Sequence, residues 1–159
     1  MQFKICCVGK LKDSFYIDGC DEYIRRLSRF GKISVLEVPD EKIPDSASSA
    51  DEEQIREREA VRLLAKILPS DYVVALCSNG TRMTSERFAG HLQNLVDSGH
   101  GSIAFLIGGS IGLGSQALNR ADERLSLSDM TMPHRLCRLF LLEQLFRACK
   151  INAGERYHK

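Results

Sequence analysis

The sequence predicts an α/β fold with a mainly parallel sheet and helices on both faces. Three observations predict it. Short apolar, strand-like runs alternate with helical stretches along the whole chain. The runs Phe3–Val8, Tyr72–Cys77 and Ile103–Ile107 are nearly continuous in apolar residues, as strands covered on both faces require. No repeat, linker or low-complexity block interrupts the pattern, so residues 1–159 read as a single domain, long enough to bury a core.

Phe3–Val8 is the first buried strand. Asp13–Leu27 follows as a helix, with Phe15, Cys20, Tyr23, Ile24 and Leu27 near helical spacing and Asp13 or Ser14 as its cap. After Gly31, Ile33–Val38 alternates like a strand, and Pro39 ends it because it has no ladder donor. Asp40–Ser49 is polar, holds Pro44 and three serines, and reads as a mobile loop. Asp51–Leu68 is a charged helix with the apolar stripe Ile55, Val61, Leu64, Ala65 and Leu68, and with Glu59 three residues before Arg62. Its charge run reads as a solvated face.

Tyr72–Cys77 is a strand, and Ser78-Asn79-Gly80-Thr81 reads as a turn on its Asn-Gly pair. Thr84–Val96 is a helix with a cap at Thr84 or Ser85 and a stripe of Phe88, Leu92, Leu95 and Val96. The strand Ile103–Ile107, a short helix Ser115–Asn119, a strand Leu125–Ser128 and a last helix Pro133–Ile151 complete the chain. That last helix carries Leu136, Leu139, Phe140, Leu142, Leu145 and Phe146, too much apolar surface for one amphipathic face. It packs on two sides, either against a second copy or inside a larger core.

Composition excludes several classes. Hydrophobic content of 43% and charged content of 27% are those of an ordinary globular chain. The N-terminus has no h-region or cleavage pattern, and no run approaches the ~18–20 apolar residues of a membrane span, so a cytoplasmic location is expected. None of the six cysteines forms a C-x-x-C pair, and buried reduced thiols are expected. His134 and Cys137 make a lone H-x-x-C, with no second pair to complete a metal site. The net charge of +1 argues against a generally basic nucleic-acid binder. Residues 133–159, however, hold six Lys/Arg against two acids, which points to a local anionic partner.

The chemistry concentrates in residues 102–134. Four glycines, Gly108, Gly109, Gly112 and Gly114, follow the Ile103–Ile107 strand. Loops of this kind at the carboxyl ends of parallel strands build ligand sites from backbone, although a tight turn would also use Gly108 and Gly109. Gly112-x-Gly114-x-x-Ala117 fits G-x-G-x-x-A and keeps an NAD(P)-dependent oxidoreductase open as an alternative. The match begins five residues after the strand, however, and its nearest acid, Asp129, lies beyond the next strand. A P-loop is absent.

Six segments carry a resemblance: Val8-Gly9-Lys10-Leu11-Lys12, Glu37-Val38-Pro39-Asp40-Glu41-Lys42, Phe105-Leu106-Ile107-Gly108-Gly109-Ser110-x-Gly112-Leu113, Leu125-Ser126-Leu127-Ser128-x-Met130-Thr131-x-Pro133-His134, Glu143-Gln144-x-x-x-Arg147-Ala148 and Gly154-Glu155-x-Tyr157-His158-Lys159. Together they resemble the ribosomal RNA large subunit methyltransferase H family, the minimal members of the SPOUT methyltransferases, from end to end. The resemblance implies a deep trefoil knot in the C-terminal part, a homodimer and S-adenosylmethionine bound in the knot. It also implies methylation of N3 of a pseudouridine in 23S rRNA of the assembled ribosome. Carried over residue by residue, it places the cofactor at Leu76, Gly108, Leu127, Ser128, Asp129, Met130, Thr131 and Met132, and brings the Tyr157-His158-Lys159 end to the active site, that of the partner subunit.

On this reading His134, after Pro133 at a helix N-terminus, is kept neutral by the helix dipole and is the first candidate base, with a structural histidine as the alternative. Tyr157 can stack on the flipped base, and His158 or Lys159 can stabilise its anion; read as bare sequence, these three are a frayed tail. Arg135 and Arg138 are candidates for holding RNA phosphates, or else surface ion pairs. A non-catalytic RNA-binding dimer is the third class left open.

Overall fold

The computed structural model of the chain describes residues 1–157. Its strands are β1 (Gln2–Val8), β2 (Lys32–Val38), β3 (Tyr72–Arg82), β4 (Ser102–Ile107) and β5 (Glu123–Ser126). They pair in parallel in the order β2-β1-β4-β3-β5. The helices are α1 (Ser14–Leu27), α2 (Ser49–Leu64), α3 (Ser85–Asp97), α4 (Ser115–Arg120) and α5 (His134–Asn152).

Strand alternation sorts the core into two layers. Phe3, Ile5 and Cys7 of β1 and Ile103, Phe105 and Ile107 of β4 pack with buried residues of α1, α3 and α5. Cys6, Val8, Ala104 and Leu106 point the other way, onto Ala60 and Leu63 of α2 and Ala117 of α4. Both faces are therefore covered, which is why these strands read as apolar runs. At the amino edge, Lys4 and Asp71 form a buried ion pair at 2.7 Å. All six cysteines are unpaired.

Several boundaries differ from the sequence expectation, each for a physical reason. Helix α2 starts at a capping box, in which Ser48 accepts from Asp51 N–H while the Asp51 carboxylate accepts from Ser48 N–H. It ends at Leu64, not Leu68. Its buried face is Ile55, Glu59, Ala60 and Leu63, while Val61 and Leu68 are exposed. Asp13 stands at the N-cap of α1 without a capping bond, because its carboxylate pairs with Arg135 at 2.8 Å.

The Ser78–Thr81 segment is not a tight turn. Strand β3 continues to Arg82 and pairs with β5 a second time, after a register shift between Leu76 and Thr81. Gly80 is required there because a Cβ would lie 2.4 Å from the Leu125 carbonyl carbon. Strand β5 is displaced toward the amino side of the expected run, so Leu127 and Ser128 belong to the loop that follows.

Candidate functional site

A cavity of about 900 Å³ opens at the carboxyl edge of the sheet, over the ends of β4, β3 and β5. Most of its wall comes from three separated segments. Leu76, Cys77 and Ser78 line it from β3; Ile107, Gly108, Gly109, Ser110 and Gly112 line it from the end of β4 and the glycine loop; residues 125–135 line it from β5 into α5. All eight positions carried over from the family resemblance (Leu76, Gly108 and Leu127, Ser128, Asp129, Met130, Thr131, Met132) stand around this one cavity, as do His134 and Arg135. The size falls within the range of small-molecule sites, and the lining is mixed in the same way, with apolar walls and irregular backbone.

The glycine loop is a small hairpin, with Gly109 bridged to Gly112 and the Gly112 N–H donating to the Gly109 carbonyl at 3.1 Å. Residues 127–132 are knitted locally. The Ser126 hydroxyl donates to the Ser128 carbonyl at 3.0 Å, and the Ser128 hydroxyl accepts from Met130 N–H at 2.9 Å. Asp129 reaches Arg82 at 2.6 Å through an exposed ion pair.

His134 is half-buried, and its ring approaches Gly9 at the end of β1: a Cβ on Gly9 would lie 3.8 Å from Nε2. Burial depresses its pKa, with the Arg135 and Arg138 charges acting in the same direction and Asp40 opposing them. The histidine is thus held toward the neutral form that a base needs.

The two arginines beside it differ. Arg135 is partly exposed at the cavity rim and pairs with Asp13. Arg138 corrects the sequence expectation. Its side chain is only 3% exposed, donating to Glu37 at 2.6 Å and to the Gly9 carbonyl at 3.0 Å. A guanidinium spent on the interior has no face to offer a phosphate; instead it ties α5 to the ends of β1 and β2.

Tyr157 does not line the cavity. It folds back on α5, edge-on to Phe146 at 5.0 Å, under the Arg147 guanidinium at 4.8 Å, with its hydroxyl donating to Glu143 at 3.2 Å. His158 and Lys159 lie outside the described residues.

The G-x-G-x-x-A match does not serve the cavity as a dinucleotide fingerprint would. Gly114 packs against the backbone of α2, where a Cβ would lie 2.6 Å from the Arg56 carbonyl oxygen, and Ala117 is fully buried. Sequence reasoning missed Asp13, Tyr16, Cys77 and Cys137, which also line the cavity. Asp13 and Tyr16 could have been sought just after the Val8–Lys12 segment; Cys77 gave no signal beyond ending an apolar strand, and Cys137 only its H-x-x-C spacing from His134. Among the described residues, no group of three or more His, Cys, Asp or Glu is placed to hold a metal ion, and no helix is long and apolar enough to cross a membrane.

Comparison with known proteins agrees with this geometry. Residues 1–158 match the family described as predicted SPOUT methyltransferase. The chain is 48% identical over 159 residues to the ribosomal RNA large subunit methyltransferase H of Lactobacillus delbrueckii subsp. bulgaricus, covering 100% of each. It is 47% identical, again over the full length of both, to the protein of the same name from Lactiplantibacillus plantarum. A probable methyltransferase from Bordetella pertussis shares the fold, with a TM-score of 0.54 over 92% of this chain and 93% of that one, at 13% identity. The full-length match and the near-half identity agree: the chain belongs to the SPOUT methyltransferases and, within them, to the ribosomal RNA large subunit methyltransferase H family.

Proposed function

We propose that this protein is an rRNA methyltransferase that takes its methyl group from S-adenosylmethionine and places it on N3 of a pseudouridine in 23S rRNA, acting in the cytoplasm on the assembled ribosome. The observation that carries the reading is the convergence of Leu76, Gly108 and residues 127–132 on one cavity. These residues suit the cofactor. Leu76, Ile107, Leu125 and Leu127 offer apolar walls for a flat ring, and the two irregular loops offer backbone polar groups for its edges. When bound, the cofactor supplies a methyl group already activated on a sulfonium.

The chain's own work is then to position the reactants and manage one proton. Pseudouridine N3 bears an imide proton between two carbonyls and becomes nucleophilic when that proton leaves. His134, beside the cavity and held toward neutrality, is the group placed to accept it. Arg135 at the rim is the candidate phosphate contact.

The enzyme works as a homodimer in this reading, and Tyr157, His158 and Lys159 serve the second copy's pocket. Two features support it. Tyr157 is turned away from its own cavity. Phe15, Ile17, Leu136 and Phe140, on α1 and α5, leave apolar surface exposed. The family's trefoil knot falls in the C-terminal part, and the tight passage of β5 against the Leu76–Thr81 excursion of β3 is consistent with it.

Mass spectrometry of 23S rRNA from cells lacking the protein tests the activity; loss of one methyl group at a pseudouridine is expected, and an unchanged methylation pattern would remove the assignment. Tyr157→Phe and His158→Ala should lose methyl transfer while keeping cofactor affinity, and unchanged turnover in both would take the tail out of the mechanism. A monomer in sedimentation velocity would contradict the dimer.

A further inference from the structure

Helix α2 keeps most of its charge run open to solvent, as expected, but it also touches the glycine loop and the start of α4. The Ser115 hydroxyl donates to Glu53 at 3.1 Å, the Gln116 N–H donates to Glu57 at 3.3 Å, and Arg56 donates to the Ile111 carbonyl at 3.5 Å. One turn or so further along α2 lies Glu59, 3% exposed and facing Gly109. Its Oε1 accepts the Glu41 N–H at 2.9 Å. Its Oε2 is buried without a hydrogen-bond partner and packs against Gly109, 3.2 Å from where a Cβ on that glycine would be. Arg62, the expected helical partner, turns away to Glu41 at 2.6 Å and to the Pro39 carbonyl at 3.0 Å.

Glu59 therefore stands at a junction of three elements: α2, the loop after β2 and the glycine loop that walls the pocket. The loop after β2 also carries Asp40, packed beside Gly9 near His134. A buried carboxyl with one orphan oxygen is a poor choice for stability alone, since an apolar side chain of similar length would avoid the desolvation. Burial, with Asp40 and Glu41 nearby, pushes its pKa up. Elements held against a stability cost next to a site are held for the site.

We propose that Glu59 is a positioning residue of the pocket, a strut that sets Gly108 and Gly109 in cofactor-binding geometry by bracing the glycine loop against the loop after β2. The inference rests on the S-adenosylmethionine reading for its functional consequence, and on hydrogen exchange without cofactor for its structural one. Glu59→Met keeps the length and removes the polar group. It should leave thermal stability equal or higher, speed amide exchange at residues 108–112 in the protein without cofactor, and raise the KM for S-adenosylmethionine about tenfold with kcat nearly kept. Glu59→Gln, which keeps the acceptor for Glu41 N–H, should restore exchange and KM to within about threefold of wild type.

Gly109→Ala provides a second probe. Its methyl group would press on both the Glu59 carboxylate and a Val8 methyl, so its effect on exchange should be smaller, though not abolished, in the Glu59→Ala background than alone. Unchanged exchange and KM in Glu59→Met, or additive effects in the double variant, would overturn the strut. If the wild type bound no S-adenosylmethionine, the proposed function would fail, while the exchange arm would still decide the strut.

Discussion

The two walls of the pocket are held in different ways. The glycine loop is braced from outside itself, by Arg56 and Glu59 of α2 against Ile111 and Gly109, with Glu53 and Glu57 holding the start of α4 just beyond it. Residues 127–132 are braced mainly from within, by the Ser126 and Ser128 hydroxyls, with one exposed ion pair to Arg82. Met130 at the tip of that loop is 80% exposed. A wall tied to a helix is preorganised for its ligand; a wall tied to itself is free to close over one.

The largest effect is expected beneath both walls, where α5 is anchored. Arg138→Ala leaves Glu37 and the Gly9 carbonyl without their buried partner and should cost about 3 kcal/mol in urea unfolding. A loss below about 1 kcal/mol would show that the pocket does not depend on that anchor. Next come matched substitutions on the two walls. Gly114→Ala drives a methyl into the α2 backbone and should cost about 1–3 kcal/mol. Asp129→Ala breaks only an exposed pair and should stay within about 0.5 kcal/mol. Equal losses from the two would erase the contrast.

A smaller signal lies in hydrogen exchange. S-adenosylmethionine should slow residues 127–132 several-fold, and residues 108–114, already braced, much less. Equal protection of both would mean that the walls move together. The smallest effect is on pH. A base is active when neutral, and the His134 pKa lies below its ordinary 6.5, so methyl transfer should fall only as pH drops below that value. His134→Ala should abolish that acid limb, and its survival would assign the limb to another group.

Much of this was legible in the residues. The strand–helix alternation could be read because strands covered on both faces advertise themselves as apolar runs. The pocket could be read because Gly108–Gly112 and Leu125–His134 are short contiguous motifs. What could not be read depends on distant packing. Asn79-Gly80 has the composition of a turn, and only the return of β5 at Leu125 explains its strand path. Arg135 and Arg138 look alike in sequence, one helical turn apart, yet Glu37 and Gly9, more than 100 residues earlier, bury one of them. Glu59 lies among the acids of a charged helix, and its burial is set by the loop at Gly109 and by Glu41.

On this account the cavity at the carboxyl edge of the sheet is a methyl-donor site. Isothermal titration of S-adenosylmethionine into the intact protein tests it most directly, with NAD titrated in parallel. Saturable binding of S-adenosylmethionine, and no heat from NAD, is the predicted result. A folded protein that gave no heat with S-adenosylmethionine, or that bound NAD instead, would contradict the account.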